Sequence, residues 1–563
     1  MKARLLYRDR DLKAAIESPR RLPTQRSWLD HDRSGRESLA AADLARDLAL
    51  EVLFEAMGAG DDYLREVATR VVPESLADPA AIRYRQAVLS DCLAFPDVVG
   101  RIYAVATSAI DHERQVWGWT FRHPEALVHR AVQVLGIFRD HLGQLRSVAD
   151  AHGAVFRSDG FTTLFATLTR ELNDPYLGVM QEHLRRLQFR GGLLFSARLG
   201  GGNRGTDLCI RRPREPEVGV RERVADWARQ LLGGEPTSYV YEVADRDEAG
   251  FQALQALRDE ALASVASALD ASTTHIRDFF KMLRTELAFY LGCLNLHERL
   301  AGKGEPLCLP EPADGDFLLQ ARGIYDASLS LSKAERAVGN DVDTGQARLV
   351  IITGANRGGK TTFLRSVGLA QLLMQCGMFV PAEEYRAGVC MGVFTHFKRE
   401  EDPTMHRGKL DDELSRMSAI VDRLKPSGLV LLNESFASTN EREGSEIARQ
   451  IIRALIEKGV KVMHVTHLFD LADSFTRSPP GPTLFLRAER LPEGRRTFKL
   501  REGVPLSTSY GADVYAQVFS TSESSTSQDQ GDPIAEDRSL SQGHGQDHDE
   551  QRTDQPQVEI QVP

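Results

Sequence analysis

The sequence predicts a multidomain protein in which a mostly α-helical region is followed by an α/β domain and then by a disordered tail. The chain has 563 residues, which is too long for a single hydrophobic core. Apolar residues recur at helical spacing through the first half, whereas strand and helix patterns alternate from about residue 314. Such alternation is typical of a largely parallel sheet.

The helical half contains one short segment of a different pattern. In AAIRYRQAVLSDCLAF, Ile82, Val88 and Leu89 can share one apolar stripe of a helix, whereas two short apolar runs later flank a Gly/Asn loop and predict a hairpin. After about residue 518 the chain is Ser-, Gln- and Asp-rich and cannot bury a core. We therefore predict an N-terminal helical segment (1–60), a helical region (61–313) with a hairpin-like insertion near 189–214, the α/β domain (314–518) and a disordered acidic tail (519–563).

Charge and composition exclude some classes of protein. Residues 521–563 carry ten acidic residues and two arginines, so the tail accounts for most of the net charge of −10. The nearly neutral remainder neither favours nor excludes nucleic-acid binding. No apolar run reaches the about 18 residues of a membrane span, and the charged N-terminus is not a secretory signal. Six scattered cysteines suit a reducing compartment, so we expect a cytoplasmic protein with no membrane partner.

A glycine-rich loop lies between a predicted strand, Val350 to Thr353, and a predicted helix. The loop fits G-x-x-x-x-G-K-[ST], in which glycines let backbone N–H groups surround phosphate oxygens at a helix N-terminus. Lys360 supplies a cation to the β- and γ-phosphates, and the Thr361 hydroxyl is a ligand for Mg²⁺. The predicted ATP-binding residues of this loop are Gly354, Ala355, Asn356, Arg357, Gly358, Gly359, Lys360, Thr361 and Thr362.

Two later strands end in polar residues that suit the same site. The apolar run Leu429 to Leu432 leads into Asn433 and Glu434, where nucleotide hydrolases present an Asp for the magnesium shell and a Glu that activates water. We assign Asn433 to the metal with Thr361, and Glu434 as the catalytic base. His467, at the end of another apolar strand, is placed to sense the γ-phosphate, although a structural capping role is the alternative.

Together these segments resemble the ATPase domain of the MutS family, relatives of the ABC-type ATPases. TGANRGGKTTFLRSVGLAQLLMQCGMFVPA resembles the phosphate loop and the stretch after it, LVLLNESFASTNEREG the Asp-Glu strand, and VTHLFDL the Thr-His switch. RAVGNDV, residues 336–342, is similar to the nucleotide-flanking Asn-Asp element, which adds Asn340 to the ATP-binding residues. The resemblance implies ATP and Mg²⁺ as cofactors and a homodimer that completes the sites.

A second likeness lies upstream. IRYRQAVLSDCL and LRTELAFYLGCLNLHERL are similar to the helical core and lever that link the family's ATPase to its DNA clamp. The implied function is an ATP-dependent DNA-binding ATPase that acts on duplex or branched DNA in repair or recombination. ATP would close the dimer and so change the clamp.

Three features depart from the family pattern. Asn433 stands in place of the usual Asp, and HRGKLDDELSRMSAI (406–420) has no Ser directly after Gly408 and Lys409. We also expect the N-terminal mismatch-reading domains to be lacking. Because Asn433 keeps an oxygen acceptor while losing a charge, we expect slow hydrolysis.

Two other functions remain open. The altered strand and signature segment favour a nucleotide-binding switch with little or no hydrolysis, and another ABC-like DNA-maintenance ATPase is the third reading. Arginines near the predicted hairpin are candidate DNA contacts, although nearby glutamates make an ordinary charged surface an equal alternative. These arginines are Arg185, Arg186, Arg190, Arg198, Arg204, Arg211, Arg212 and Arg214.

Overall fold

A computed structural model of the chain describes most of the helical and α/β regions. The described residues are 2–8, 35–116, 123–189, 195–199, 205–210, 247–313, 315, 317–399, 408–491 and 495–506. The predicted tail, residues 519–563, lies outside them, as do residues 9–34 of the predicted N-terminal segment. All of the described residues belong to one unit, Met1–Ser509.

A helical region comes first in the chain, as the sequence predicts. Several of its helices begin at side chains that accept hydrogen bonds from the first free backbone N–H groups, such as Asp61, Asp78 and Ser158; these caps fix where each helix starts. The helices are α1 (Gly35–Asp47), α2 (Leu50–Gly58), α3 (Asp62–Val71), α4 (Pro79–Ala94), α5 (Pro96–Gln115), α6 (Pro124–His152), α7 (Asp159–Glu171), α8 (Asp174–Arg186) and α9 (Glu248–Ala301).

Helix α4 ends where α5 begins. Pro96 opens α5, and the two helices bend by 102° around Phe95, because a proline fits the first turn of a helix but not its interior. In the described part of the chain, no single helix is long and apolar enough to cross a bilayer, and only α4 and α5 taken together across their bend reach that length and composition.

Helix α9, with 54 residues, is about 80 Å long at 1.5 Å per residue. Its C-terminal half carries Phe280 and Leu287 into a large apolar core that also contains residues of the α/β domain. Its N-terminal half packs Leu262 and Ala266 into a separate cluster with α6 and α8. One helix therefore connects the α/β domain with the distal part of the helical region.

Two strands lie in the segment where the sequence predicts a hairpin. Strands β1 (Phe195–Leu199) and β2 (Gly205–Ile210) are antiparallel, with Phe195 opposite Ile210 and Leu199 opposite Gly205. The register shifts between Ser196 and Arg198, as at a β-bulge. The connecting loop lies outside the described residues.

An α/β domain follows the helical region, also as predicted. It contains two sheets, a six-stranded one with the order β12-β11-β6-β10-β9-β8 and a four-stranded one with the order β3-β7-β4-β5. In the larger sheet all neighbours are parallel except β12. The elements are β3 (Glu311–Ala313), β4 (Leu319–Ile324), α10 (Ala327–Ser332), β5 (Asn340–Asp343), β6 (Leu349–Gly354), α11 (Lys360–Gln375), β7 (Glu384–Gly388), β8 (Val393–Phe397), α12 (Lys409–Val421), β9 (Leu429–Asn433), α13 (Glu441–Glu457), β10 (Lys461–Val465), α14 (Phe469–Arg477), β11 (Thr483–Arg490) and β12 (Arg496–Glu502).

Helix α11 lies between the larger sheet and the helical region. Almost every residue from Phe363 to Gln375 is buried, as expected of a helix that is covered on all sides. Its C-terminal end is bonded to the helical region, because the Gln375 side chain donates to Ser75 Oγ at 2.7 Å and Arg85 donates to the Cys376 carbonyl at 3.3 Å. The opposite face of the sheet is covered by α12, α13 and α14.

Candidate functional site

The loop between β6 and α11 has the backbone that the glycine-rich motif requires. Gly354 and Gly359 have φ angles of 111° and 89°, which side chains rarely allow. A Cβ atom on Gly358 would lie 2.8 Å from the Ala355 carbonyl oxygen and 2.8 Å from Ala488 Cβ. The loop is therefore close-packed, and only glycine fits at position 358.

Lys360 begins α11 and folds back over the loop. Its Nζ donates to the carbonyl oxygens of Gly354 at 2.9 Å and Ala355 at 3.0 Å. Burial lowers the pKa of the Lys360 ammonium, and the nearby Glu434 carboxylate opposes that shift. A cation is thus held at the mouth of the cradle.

The end of β9 meets this loop. Strands β6, β10 and β9 are neighbouring parallel strands, with Asn433 opposite Val465 and Val465 opposite Ile352, so their carboxyl ends share one edge of the sheet. The Thr361 hydroxyl donates to the Asn433 Oδ1 atom at 2.9 Å. The structure brings together both residues that the sequence assigns to the metal.

Glu434 follows directly at this edge. It has a positive φ of 51°, and its backbone N–H donates to the Val465 carbonyl at 2.8 Å. Its side chain is partly exposed and lines the same pocket as Lys360 and Thr361. The predicted base therefore faces the predicted phosphate site.

His467 does not join this group. It lies two residues beyond the end of β10 and is exposed, and it is not among the residues that line the pocket. The buried histidine of this strand is His464, three residues earlier.

A pocket of about 600 Å³ opens beside the loop. This volume is in the range of small-molecule sites. One side is the phosphate loop, and another is apolar, with Phe498 48% exposed and Val338 41% exposed although both are large and hydrophobic. The other apolar lining residues are Ile324, Tyr325, Leu329, Ala337 and Phe363. An aromatic and aliphatic wall next to a phosphate cradle suits a nucleoside.

The side chain of Asn340 binds the backbone of the segment that carries Phe498. Its Nδ2 donates to the Phe498 carbonyl at 3.2 Å, and its Oδ1 accepts from the Leu500 N–H at 2.7 Å. Phe498 itself has a φ of 59°, a conformation that is uncommon for a residue without special support. Asn340 thus supports the backbone at Phe498. The sequence interpretation singled out Asn340 but not Phe498.

Comparison with known proteins identifies the family. Residues 77–303 match the model of the MutS2 N-terminal domain, and residues 350–524 match MutS domain V. The chain is 33% identical over 231 residues to "Endonuclease MutS2" of Lacticaseibacillus casei, and 32% identical over 256 residues to "DNA mismatch repair protein MutS" of Chloroflexus aurantiacus. The chain belongs to the MutS family.

The matches cover only part of each protein. The alignment with the Lacticaseibacillus relative covers 38% of this MutS-family chain and 28% of the relative, and that with the Chloroflexus relative covers 42% and 26%. The chain thus spans little more than a quarter of the length of these curated relatives. The first family match contains α4 to α9, and the second contains the phosphate loop, the end of β9 and Phe498.

The proposed DNA-contacting arginines of this MutS-family chain are only partly described. Arg185 and Arg186, in the last turn of α8, both lie near Glu182 in ion pairs of 3.4 Å and 2.9 Å, and Arg198 is an exposed residue of β1. The other predicted members, Arg190, Arg204, Arg211, Arg212 and Arg214, lie outside the described residues.

The segment with the altered signature is described from Gly408 onward. Gly408 caps α12 and Lys409 is its first residue, whereas 406 and 407 lie outside the described residues. Among the described residues, no group of three or more His, Cys, Asp or Glu side chains is arranged to bind a metal ion.

Proposed function

We propose that this protein is an ATP-dependent DNA-binding ATPase of the MutS type, which acts in DNA repair or recombination through ATP-driven changes of a dimeric clamp. The observation that carries the proposal is the hydrogen bond from Thr361 to Asn433. It joins the phosphate loop to the strand end that bears Glu434, beside a pocket of nucleoside size. Binding groups and a base therefore meet at one edge of the sheet.

The residues at this edge fit ATP and Mg²⁺. The loop from Ala355 to Gly359 offers backbone N–H groups at the start of α11, and Lys360 offers a cation to the β- and γ-phosphates. Thr361 Oγ1 and Asn433 Oδ1 are hard oxygen donors of the type that Mg²⁺ prefers. When bound, the metal supplies positive charge that neutralises the phosphate oxygens.

Glu434 is the residue we propose as the general base. Its carboxylate accepts the proton of a water molecule as the water oxygen bonds to the γ-phosphorus of the ATP substrate, while the bond from that phosphorus to the bridging oxygen breaks and ADP leaves. Asn433 supplies an amide oxygen in place of a carboxylate, so it contributes no charge to metal retention. We therefore expect hydrolysis that is slow and has a high Mg²⁺ requirement.

Coupling between the nucleotide state and DNA binding would pass through helix α11. The N-terminus of this helix carries Lys360 at the phosphate loop, and its C-terminus is bonded to the helical region at Ser75 and Arg85. The Leu76 N–H also donates to the Gln375 carbonyl at 3.0 Å. A rigid buried helix that touches both regions supports transmission of the nucleotide state to the helical region, where we propose that duplex or branched DNA binds.

Asn433 also favours one alternative, a nucleotide-binding switch with little or no hydrolysis. The test is ATP turnover and ATP affinity, measured with no DNA and with duplex, mismatched and branched DNA. We expect slow basal turnover that changes with at least one DNA. Tight ATP binding without turnover under any condition would favour the switch, and absence of ATP binding would contradict both functions.

A further inference from the structure

The residue after Glu434 is bonded to a histidine of the next strand. Ser435 is fully buried, and its Oγ lies 2.8 Å from Nδ1 of His396 and 2.7 Å from the His396 carbonyl oxygen. His396 is in β8, where it lies opposite Leu432 of β9. The buried side chain of His396 thus lies in hydrogen-bond contact with Ser435, the residue that follows the proposed base.

The other ring nitrogen of His396 is also bonded. Nε2 lies 3.0 Å from the backbone carbonyl of Glu413 in α12. A carbonyl can only accept, so Nε2 carries the proton and donates it. Burial, followed in importance by Arg416, lowers the pKa of His396 to about 4, so the ring is neutral near pH 7 and Nδ1 is an acceptor. The single Ser435 hydroxyl proton is donated to the His396 carbonyl oxygen and shared with Nδ1.

The backbone around Ser435 requires such support. Glu434 and Phe436 have φ angles of 51° and 64° without being glycine, and conformations of this kind persist only where the surroundings hold them. The Phe436 ring stacks on the His396 ring with centroids 5.4 Å apart and planes 18° apart. Ser438 donates to the Glu413 Oε1 atom at 3.0 Å. Contacts from β8 and α12 therefore hold the loop from Glu434 to Ser438.

We propose that His396 is a positioning residue, which fixes the backbone that presents Glu434 and joins it to α12. The inference rests on the proposed role of Glu434 as the base. His396 is buried beneath the loop and is not among the residues that line the pocket, so it acts on turnover through Ser435. Its loss should lower the rate of hydrolysis while leaving ATP affinity intact.

His464 provides a matched control. It is fully buried and, like His396, lies opposite Leu432, on the other neighbouring strand. Neither of its ring nitrogens has a hydrogen-bond partner among the described residues, and burial lowers its pKa to about 3. Replacing His464 therefore removes a histidine from the same face of the sheet without breaking a hydrogen bond.

The experiment measures the ATP dissociation constant and the single-turnover hydrolysis rate of five variants. H396F keeps a ring against Phe436 but removes both hydrogen bonds of the imidazole, while the backbone carbonyl of residue 396 can still accept from Ser435. S435A removes both bonds of the Ser435 hydroxyl, and H396N keeps an oxygen where Nδ1 lies. H396F and S435A each lose two hydrogen bonds that hold the loop, so each should hydrolyse ATP about tenfold more slowly with unchanged affinity. H396N should recover most of the rate, and H464F should resemble wild type. Because the two single changes both remove the bond between Ser435 and Nδ1, the loss in the double variant H396F/S435A should be smaller than the product of the two single losses.

Several results would overturn the inference. These are wild-type rates in S435A and H396F, losses that multiply in the double variant, or ATP affinity that weakens as much as the rate falls. Where H396F does not fold, the pair S435A and H396N decides, because a normal rate in S435A contradicts the proposed bond. E434Q, measured alongside, separates the role of Glu434 as the base from the positioning role of His396. A wild-type rate in E434Q would refute the proposed base and the inference with it. A slow E434Q with a normal H396F would refute the positioning role alone.

Discussion

The phosphate loop and the end of β9 meet at one site but hold their shapes in different ways. The loop is shaped mainly by its own sequence, with positive φ at Gly354, Arg357 and Gly359 and with Lys360 bonded to loop carbonyls. The end of β9 has positive φ at Glu434 and Phe436 without glycine, and side chains from β8 and α12 hold it.

Because of this difference, nucleotide binding and ATP turnover should depend on different parts of the molecule. A loop that is ordered by its own glycines and Lys360, and is packed against Ala488 of β11, does not depend on β8 or α12 for its shape. A strand end that depends on β8 and α12 presents its base only when those elements are in place. We therefore expect changes in the loop to abolish nucleotide binding and changes at the strand end to affect mainly the rate.

The largest expected effect is that of K360A. This change removes the cation of the phosphate loop and two hydrogen bonds that order the loop, and bonds to charged groups are worth about 1.5–3 kcal/mol each. ATP affinity should fall about a hundredfold or more in equilibrium binding. K458A, at an exposed lysine that follows α13, is the control and should bind as wild type. Unchanged affinity in K360A would refute the phosphate-loop assignment.

E434Q should separate the two regions most clearly. General-base catalysis contributes about 10²–10⁴-fold, so turnover should fall by that factor while ATP binding persists. We also expect an ATP-bound dimer to accumulate, which light scattering would detect. E457Q, the same change at an exposed residue of α13, should have no effect. A monomer in every nucleotide state would count against the dimeric site.

F498A should have a smaller effect, confined to binding. Stacking of a base on an aromatic ring is worth about 1–3 kcal/mol, so affinity for ATP and for ADP should fall about tenfold, with little change in the maximal rate. F251A is the control, since Phe251 of α9 is 60% exposed but is not among the residues that line the pocket. Isothermal titration of both nucleotides measures the difference. Equal affinities in F498A and wild type would remove this ring from the nucleoside site.

The phosphate loop could be predicted from the sequence because its residues are contiguous and their chemistry is local. The apolar wall could not, since Tyr325, Val338 and Phe498 come from three separate segments. Phe498 occurs in RTFKLRE, which has the ordinary alternation of a strand, and only the contact with Asn340 shows why the backbone turns there. The predicted nucleotide-flanking Asn340 was thus the nearest available signal.

The histidines show a second limit. In KVMHVTH every strand residue is apolar or buried, because the central strands of a parallel sheet are covered on both faces. Periodicity therefore cannot show which histidine is buried and which reaches the strand end. The bonds of His396 to Ser435 and Glu413 depend on strand order and on α12, neither of which a single sequence reveals.

The pairing of Thr361 with Asn433 is the central claim, and a Mg²⁺ titration of ATP turnover in N433D tests it most directly. The carboxylate restores a charge near the metal, and charge-assisted hydrogen bonds are roughly twice as strong as neutral ones. We predict a several-fold lower Mg²⁺ concentration for half-maximal turnover in N433D than in wild type, and a maximal rate that changes less, since Glu434 is retained. Identical Mg²⁺ dependence in the two proteins would contradict the account, because it would take Asn433 out of the metal site that joins the loop to the strand end.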